Sequence, residues 1–297
     1  MKQYLDVLRN VLENGNISPD RTGIGTKSLF ALPMRFNLEE GFPAVTTKKL
    51  AWKSVVSELL WFIEGSSNEK RLKEILYGTE TTDKQTIWTA NAEAPYWKPK
   101  ARYEGDLGRV YGVQWRDWKS PILVRDHTAG YEYVPERYDV KQVDQLLNLI
   151  DGLKKDPHGR RHIISAWNPG ELDEMALPPC HCFAQFYVAN GKLSCSMYQR
   201  SCDLFLGVPF NIASYSLFTH MIARVCDLGV GEFVHILGDA HIYLNHIEQV
   251  KEQLSREPLP LPKLEIANKK DITSFTMDDI RLVGYECHGP IKAEMAV

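Results

Sequence analysis

No stretch of this sequence stays apolar for the roughly 20 residues that a membrane-spanning helix needs, so no such helix is expected. The opening stretch, MKQYLDVLRNVLENG, is amphipathic and charged throughout, unlike a secretory signal. A cytoplasmic protein is therefore expected. Charge of one sign is scarce: the formal net charge is -3 over 297 residues. That argues against a general polyanion binder but leaves room for a few arginines focused in one cleft. There is no CxxC pair, no second ligand pair at zinc-finger spacing and no HExxH, so no metal site is expected. Without a secretory signal a disulfide framework is not expected either. Five of the six cysteines lie in or beside apolar segments and read as small reduced hydrophobes. Repeats, glycine-serine linkers and low-complexity tracts are also missing. The 44% hydrophobic and 25% charged fractions are those of an ordinary globular chain, read as a single domain over residues 1–297.

The apolar periodicity mixes helices and strands. Tyr4, Leu8, Val11 and Leu12 recur at helical spacing before Gly15. Val55, Val56, Leu59, Leu60 and Ile63 mark a second helix ending near Gly65, and Val143, Leu146, Leu147 and Ile150 a third. Ala213 to Asp227 reads as a long, largely buried helix. Phe183 to Val188 and Lys192 to Tyr198 read as strands, joined by Asn190-Gly191, a strong type I′ hairpin signal. His162 to Trp167 and Phe233 to Leu237 are further strand candidates. Without a regular βαβ alternation, the pattern predicts an α+β domain with a largely antiparallel or mixed sheet covered by helices. Two polar stretches, 77–103 and 119–137, read as surface loops or insertions.

Four segments carry candidate chemistry. In Leu177-Pro178-Pro179-Cys180-His181 two prolines pin the backbone before a cysteine at a strand start. A cysteine becomes nucleophilic when nearby positive charge stabilises its thiolate. Arg200 follows the strand that returns from the hairpin turn, so it can come back beside Cys180. By itself the cysteine also fits a structural role. Arg21, Arg160 and Arg161 sit in polar turns, where their planar forks suit phosphate oxygens but equally suit solvated loops. Asn211 fits a helix N-cap or, through an amide with one donor and one acceptor edge, recognition of a uracil ring. His241 and Tyr243, two apart on a strand, would share a face as core hydrogen-bonding residues or as hydroxyl readers.

Together these segments resemble the thymidylate synthase family over nearly the whole chain. The resemblance rests on Asp20-Arg21-Thr22-Gly23, Glu58-Leu59-Leu60-Trp61-Phe62, Tyr111-Gly112 with Gln114-Trp115-Arg116, Arg160-Arg161, and Ala176-Leu177-Pro178-Pro179-Cys180-His181. It continues through Tyr198-Gln199-Arg200-Ser201, Pro209 to Tyr215, Gly238 to His246, and the ending Ile291-Lys292 with Met295-Ala296-Val297. It implies a thymidylate synthase-like fold whose sheets pack back to back in a homodimer. It implies reductive methylation of dUMP to dTMP, with 5,10-methylenetetrahydrofolate as both carbon and hydride donor and no metal or nicotinamide. Cys180 would add to C6, Arg200 would stabilise the thiolate and bind phosphate, and Arg21 and Ser201 would complete the phosphate site. Arg160 and Arg161 would be contributed across the dimer interface. Asn211 would read the base, and His241 and Tyr243 the deoxyribose hydroxyl. Glu58 and Tyr111 would handle protons, with Asp203 in both the catalytic and the folate sets. Ile87, Trp88, Asn91, Leu177, Gly207, Phe210 and Val297 match folate-contacting positions, and Lys48 and Lys49 match the region meeting the folate's glutamate tail. Weak binding of its own messenger RNA is the only nucleic-acid contact implied.

Two positions depart from the family pattern. Thr89 follows Trp88 where aspartate is common, and Arg109 precedes Val110-Tyr111-Gly112 where proline is common. Both lie beside the pocket wall that must keep water from the methylene intermediate. The nearest rival is therefore a dUMP hydroxymethylase, which adds water in place of hydride. Trp88 and the Met-Ala-Val ending favour methylation, and Asn211 favours uracil over cytosine. A non-catalytic nucleotide- or RNA-binding relative is a more distant reading, since no basic stripe or aromatic RNA platform is evident.

Overall fold

The computed structural model describes residues 1–20, 22–124 and 137–294. Arg21 and Val297, both named above as site residues, lie outside the described residues, as does 125–136 of the second insertion.

The strands are β1 (Asn16–Ser18), β2 (Thr26–Asn37), β3 (Trp118–Val124), β4 (Arg137–Val143), β5 (Ile163–Ser165), β6 (His181–Ala189), β7 (Lys192–Asp203) and β8 (Gly229–Tyr243), with a small ribbon of β9 (Lys263–Ile266) and β10 (Ile280–Val283) near the end. The helices that shape the site are α1 (Lys2–Asn14), α2 (Trp52–Glu64), α3 (Glu69–Tyr77), α4 (Thr89–Ala92), α5 (Tyr111–Arg116), α6 (Gln145–Lys155) and α7 (Gly207–Val225). Six strands form one mixed sheet in the order β1-β2-β8-β7-β6-β5. All neighbours are antiparallel except β7 and β8, which run parallel. A parallel pair needs a long crossover, and α7 supplies it.

The hairpin at the centre follows from local chemistry. Asn190 and Gly191 have φ of 51° and 70°, the left-handed values a type I′ turn requires and these two residues tolerate. The turn sets the register that pairs Ala189 with Lys192 and Phe183 with Tyr198. Period-2 alternation then sends Leu193, Cys195 and Met197 into the core. Ala184, Phe186 and Val188 of β6 and Phe233 of β8 join them there. Helix α7 is buried on nearly every side, as expected of a helix apolar all round. It lies against β7, β8 and α2.

Four expectations need correction. Helix α7 begins at Gly207, ahead of Ala213. Pro209 does not delay it, because the first helical N–H groups have no intrahelical partner to lose. Asn211 is consequently inside the helix and is not its N-cap. Val143 ends β4, and α6 starts at Gln145 behind Asp144, whose carboxylate accepts from Leu147 N–H at 2.9 Å. The 77–103 stretch is no surface insertion: Tyr77 closes α3, α4 forms within it, and Trp88, Ala92 and Trp97 are core residues. The ends of 119–137 belong to an antiparallel ribbon of β3 and β4, where Val124 faces Arg137. Among the described residues no helix is long and apolar enough to cross a membrane.

Close backbone approach fixes how α5 meets α2. A Cβ placed on Gly112 would lie 2.4 Å from the Phe62 carbonyl oxygen and 2.7 Å from its Cα. Gly112→Ala should therefore cost about 1–3 kcal/mol through overpacking, read as a lower urea midpoint with unchanged slope.

Candidate active site

The site is built from the start of β6, the end of β7, the first turns of α7, the buried middle of α2 and the start of α5. Cys180 precedes β6 and is half-buried. Arg200 on β7 returns to it as the hairpin requires. Its backbone N–H donates to the Cys180 carbonyl at 2.8 Å, and its guanidinium donates to the carbonyls of Pro179 and Pro178, both at 2.9 Å. The same cation lies 5.3 Å from the Trp167 ring centroid. Burial pushes the Cys180 thiol above its ordinary value, while Arg200 and the Tyr111 hydroxyl pull it down. Arg200 thus opposes the desolvation of the thiol without overcoming it.

Tyr111, at the start of α5, accepts a hydrogen bond from Cys180 N–H at 2.7 Å. Its ring stacks on His181 at 4.1 Å and on Phe62 at 4.9 Å, and burial holds its phenol well above the usual range. Its other edge meets Trp88 at 5.7 Å. The Trp88 indole N–H in turn donates to Glu58 Oε1 at 2.7 Å. Glu58 on α2 is buried, and that burial raises its carboxyl to about 7, with the Trp88 hydrogen bond acting against the rise. A carboxyl poised near neutrality can both give and take a proton.

The remaining expected residues fall into several groups. Ser201 and Asp203 continue β7 beyond Arg200. Asp203 Oδ1 accepts from Phe205 N–H at 3.0 Å and Leu206 N–H at 3.2 Å, shaping the turn into α7. Gly207, Phe210 and Asn211 are half-buried on the first turns of α7. A Cβ on Gly207 would sit 3.7 Å from Asn211 Oδ1 and 3.8 Å from Asp203 Cβ, so these three are neighbours. On β8, His241 and Tyr243 share a face with ring centroids 5.2 Å apart. Burial disfavours the His241 imidazolium, but Asp239, 3.3 Å away, outweighs it and raises the ring's pKa. Trp88 is buried, Asn91 and Leu177 are half-buried, and Ile87 is exposed. Arg160 and Arg161 are both exposed just ahead of edge strand β5.

The two lysines separate. Lys49 is exposed. Lys48 is buried, donates to the Phe205 carbonyl, and lies 3.7 Å from the Phe205 ring centroid. Burial lowers its ammonium to about 8, with Asp203 resisting. Lys48 therefore supports the Asp203 turn from inside, and only Lys49 is open to solvent.

Sequence reading assigned no role to His181, Trp167, Tyr215 or the partners of Arg109. His181 is fully neutral, since burial drops its pKa to about 3, and it shares a 2.8 Å hydrogen bond with Tyr215. Its adjacency to Cys180 was the available signal. Arg109, one of the two departures, is buried in an ion pair with Glu171 at 2.8 Å and a second with Asp117 at 2.9 Å. Gln114 also donates to Glu171 at 2.7 Å. Arg109 N–H donates to the Glu174 carbonyl at 2.9 Å, a bond proline could not make. The arginine thus ties both ends of α5 to the segment leading to Cys180.

A half-buried cysteine with a cation in its shell, beside a carboxyl near neutrality, defines an α+β domain equipped for nucleophilic and acid–base chemistry. Residues 2–297 match the family described as thymidylate synthase, and the chain belongs to that family. It is similar to a bifunctional dihydrofolate reductase-thymidylate synthase of Zea mays, 51% identical over 299 residues that cover 99% of this chain and 54% of that protein. The chain thus spans about half the length of this curated relative.

Removing Arg109 would leave the Glu171 carboxylate buried without its cation. Arg109→Ala should destabilise the fold by about 3–5 kcal/mol, more than the same change at exposed Arg35, measured by urea unfolding.

Proposed function

We propose that this chain reductively methylates dUMP to dTMP, using 5,10-methylenetetrahydrofolate and releasing dihydrofolate. The observation that carries this reading is Tyr111, which touches Cys180 on one side and the Trp88–Glu58 pair on the other. One residue thereby joins the nucleophile to the proton-handling carboxyl.

In this reading the Cys180 thiolate forms a bond to C6 of the pyrimidine, and the electron pair moves to C5 and O4. Arg200 offsets the thiolate's charge and, with Arg21 and Ser201, holds the phosphate. The side-chain amide of Asn211 has no hydrogen-bonding partner among the described residues, which suits it to the base edge. His241 and Tyr243 hold the sugar hydroxyl. C5 bonds to the one-carbon unit as one of its two C–N bonds to the folate opens. Loss of the C5 proton, helped by Tyr111, then breaks the remaining C–N bond, expels tetrahydrofolate and leaves an exocyclic methylene, while Glu58 exchanges a proton at O4. The reduced folate supplies the carbon and then the hydride, so no other reductant is required. Cys180 departs as the C6–S bond breaks. Trp88, Leu177, Phe210 and Ile87 provide the apolar wall suited to a flat pterin, beside the Asp203 carboxylate. The Trp88 wall favours hydride over water at the last step.

We further infer a homodimer. Ile163, Phe183 and Tyr187 share one sheet face and are exposed at 46%, 42% and 64%. Monomers rarely leave such a row of large apolar side chains uncovered. Pairing two copies through this face brings exposed Arg160 and Arg161 toward the neighbouring phosphate site. All six cysteines are unpaired, which suits a reducing cytoplasm.

Mass analysis after incubation with dUMP and methylenetetrahydrofolate should give a methylated nucleotide together with the absorbance rise of dihydrofolate. Cys180→Ser should lose turnover while still binding dUMP. A hydroxymethyl product with tetrahydrofolate would sink the methylation reading. Shared sites predict complementation: two inactive proteins, Cys180→Ala and Arg160→Ala with Arg161→Ala, should regain about a quarter of normal activity after dissociation and random re-pairing. No regain would refute the crossed arginines.

A further inference from the structure

Trp88 aims its indole at Glu58, but nothing in that pair fixes Trp88 itself. The fixing elements lie behind it. Thr86 Oγ1 accepts from Trp88 N–H at 3.2 Å, and Thr86 and Thr89 flank the tryptophan in sequence. Both hydroxyls donate to one oxygen, Glu69 Oε1, at 2.8 Å and 2.6 Å. Thr89 Oγ1 also accepts from Thr86 N–H at 2.9 Å, closing the loop. Glu69 opens α3, is only 3% exposed, and has its other oxygen 3.0 Å from Lys73.

We propose that Glu69 is a positioning residue for the proton-handling pair: through Thr86 and Thr89 it anchors the backbone on both sides of Trp88 and so fixes the indole against Glu58. The departure at position 89 belongs to the same device. An aspartate there would bring a second carboxylate to where Thr89 now donates at 2.6 Å, and like charges that close repel. A threonine donor thus suits the buried Glu69 where an aspartate would not.

Among the described residues one side chain, Trp88, donates a hydrogen bond to the Glu58 carboxyl. Tyr111 and Tyr215 face it, and burial keeps both phenols well above the usual range, hence neutral. His181, stacked on Tyr111, is neutral as well. Lys70 and Lys73 face Glu69 and do not reach Glu58. Loosening Trp88 therefore removes the one interaction that opposes the effect of burial on Glu58.

The proposal rests on the proton-handling role given to Glu58, but its test can be read without activity. In full-length protein carrying 15N-labelled tryptophan, the Trp88 indole resonance is assigned by its loss in Trp88→Phe and followed against pH. In the wild type it should titrate with a midpoint near 7. In Glu69→Gln and in Thr86→Val it should move toward the position of unbonded indoles. Its titration amplitude should fall by more than half, and the remaining midpoint should rise. Thr86→Val changes little volume, so it decides the matter if Glu69→Gln fails to fold. An unchanged amplitude and midpoint in a folded variant, even one that melts earlier, would show that Glu69 is structural only and overturn the proposal. The neutral limb of kcat/KM should move with the resonance. A wild type that makes no dTMP would refute the function while leaving the resonance result standing.

Discussion

Arg200 closes back on the three residues before β6, and the rest of the site is arranged around that closure. Prolines at 178 and 179 carry no N–H, so their segment cannot join a strand ladder, and two carbonyls are left needing donors. A guanidinium has a planar fork of donors, and Arg200 spends two of them on those carbonyls. Its backbone N–H takes the carbonyl of Cys180. One side chain thereby fixes the backbone that presents the thiol and puts positive charge in its environment. The charge does not win outright, because burial still leaves the thiol above its ordinary value. In the free site that balance favours the thiol over the thiolate.

Desolvation sets the second half of the site by the same balance. Raising Glu58 from 4.5 to about 7 amounts to a bias of about 3 kcal/mol against its charged form. One indole N–H offsets part of that bias. Without that hydrogen bond the carboxyl would be pushed higher still, and further donors would pull it down. Tyr111 lies between the two halves, its hydroxyl on Cys180 N–H and its ring edge on Trp88, so displacement of α5 would disturb both at once. Gly112, pressed on Phe62, and Arg109, clamped to Asp117 and Glu171, limit that displacement.

Features governed by short-range rules were legible in the sequence. Asn190-Gly191 and the alternation on either side predict the hairpin, and the hairpin predicts that Arg200 returns to Cys180. Two-residue spacing on a strand predicts that His241 and Tyr243 share a face. Long-range features were not. The early start of α7 at Gly207 was hidden, because nothing local says that Asp203 shapes the turn before it. The aromatic residues of 77–103 seemed to decorate a loop, because their burial depends on α2 and α5. Lys48 beside Lys49 read as a pair, yet only the fold reveals that one points inward to Phe205. The ion pair of Arg109 with Glu171 joins residues 62 positions apart, and no periodicity announces it.

The two departures from the family pattern, read from sequence, put the pocket wall at issue. In the fold each is met by a buried carboxylate: Glu171 receives Arg109 and Glu69 receives Thr89. Both carboxylates also bond a second neighbour, Gln114 in one case and Thr86 in the other. A buried charge left unmatched costs several kcal/mol, so Arg109 could not change alone without stranding Glu171, whereas Glu69 would keep Lys73 at 3.0 Å if Thr89 changed. With Thr89 and Arg109 in place, Tyr111 meets Cys180 N–H and Trp88 meets Glu58. Both contacts hold with a threonine at 89 and an arginine at 109, each met by its own carboxylate.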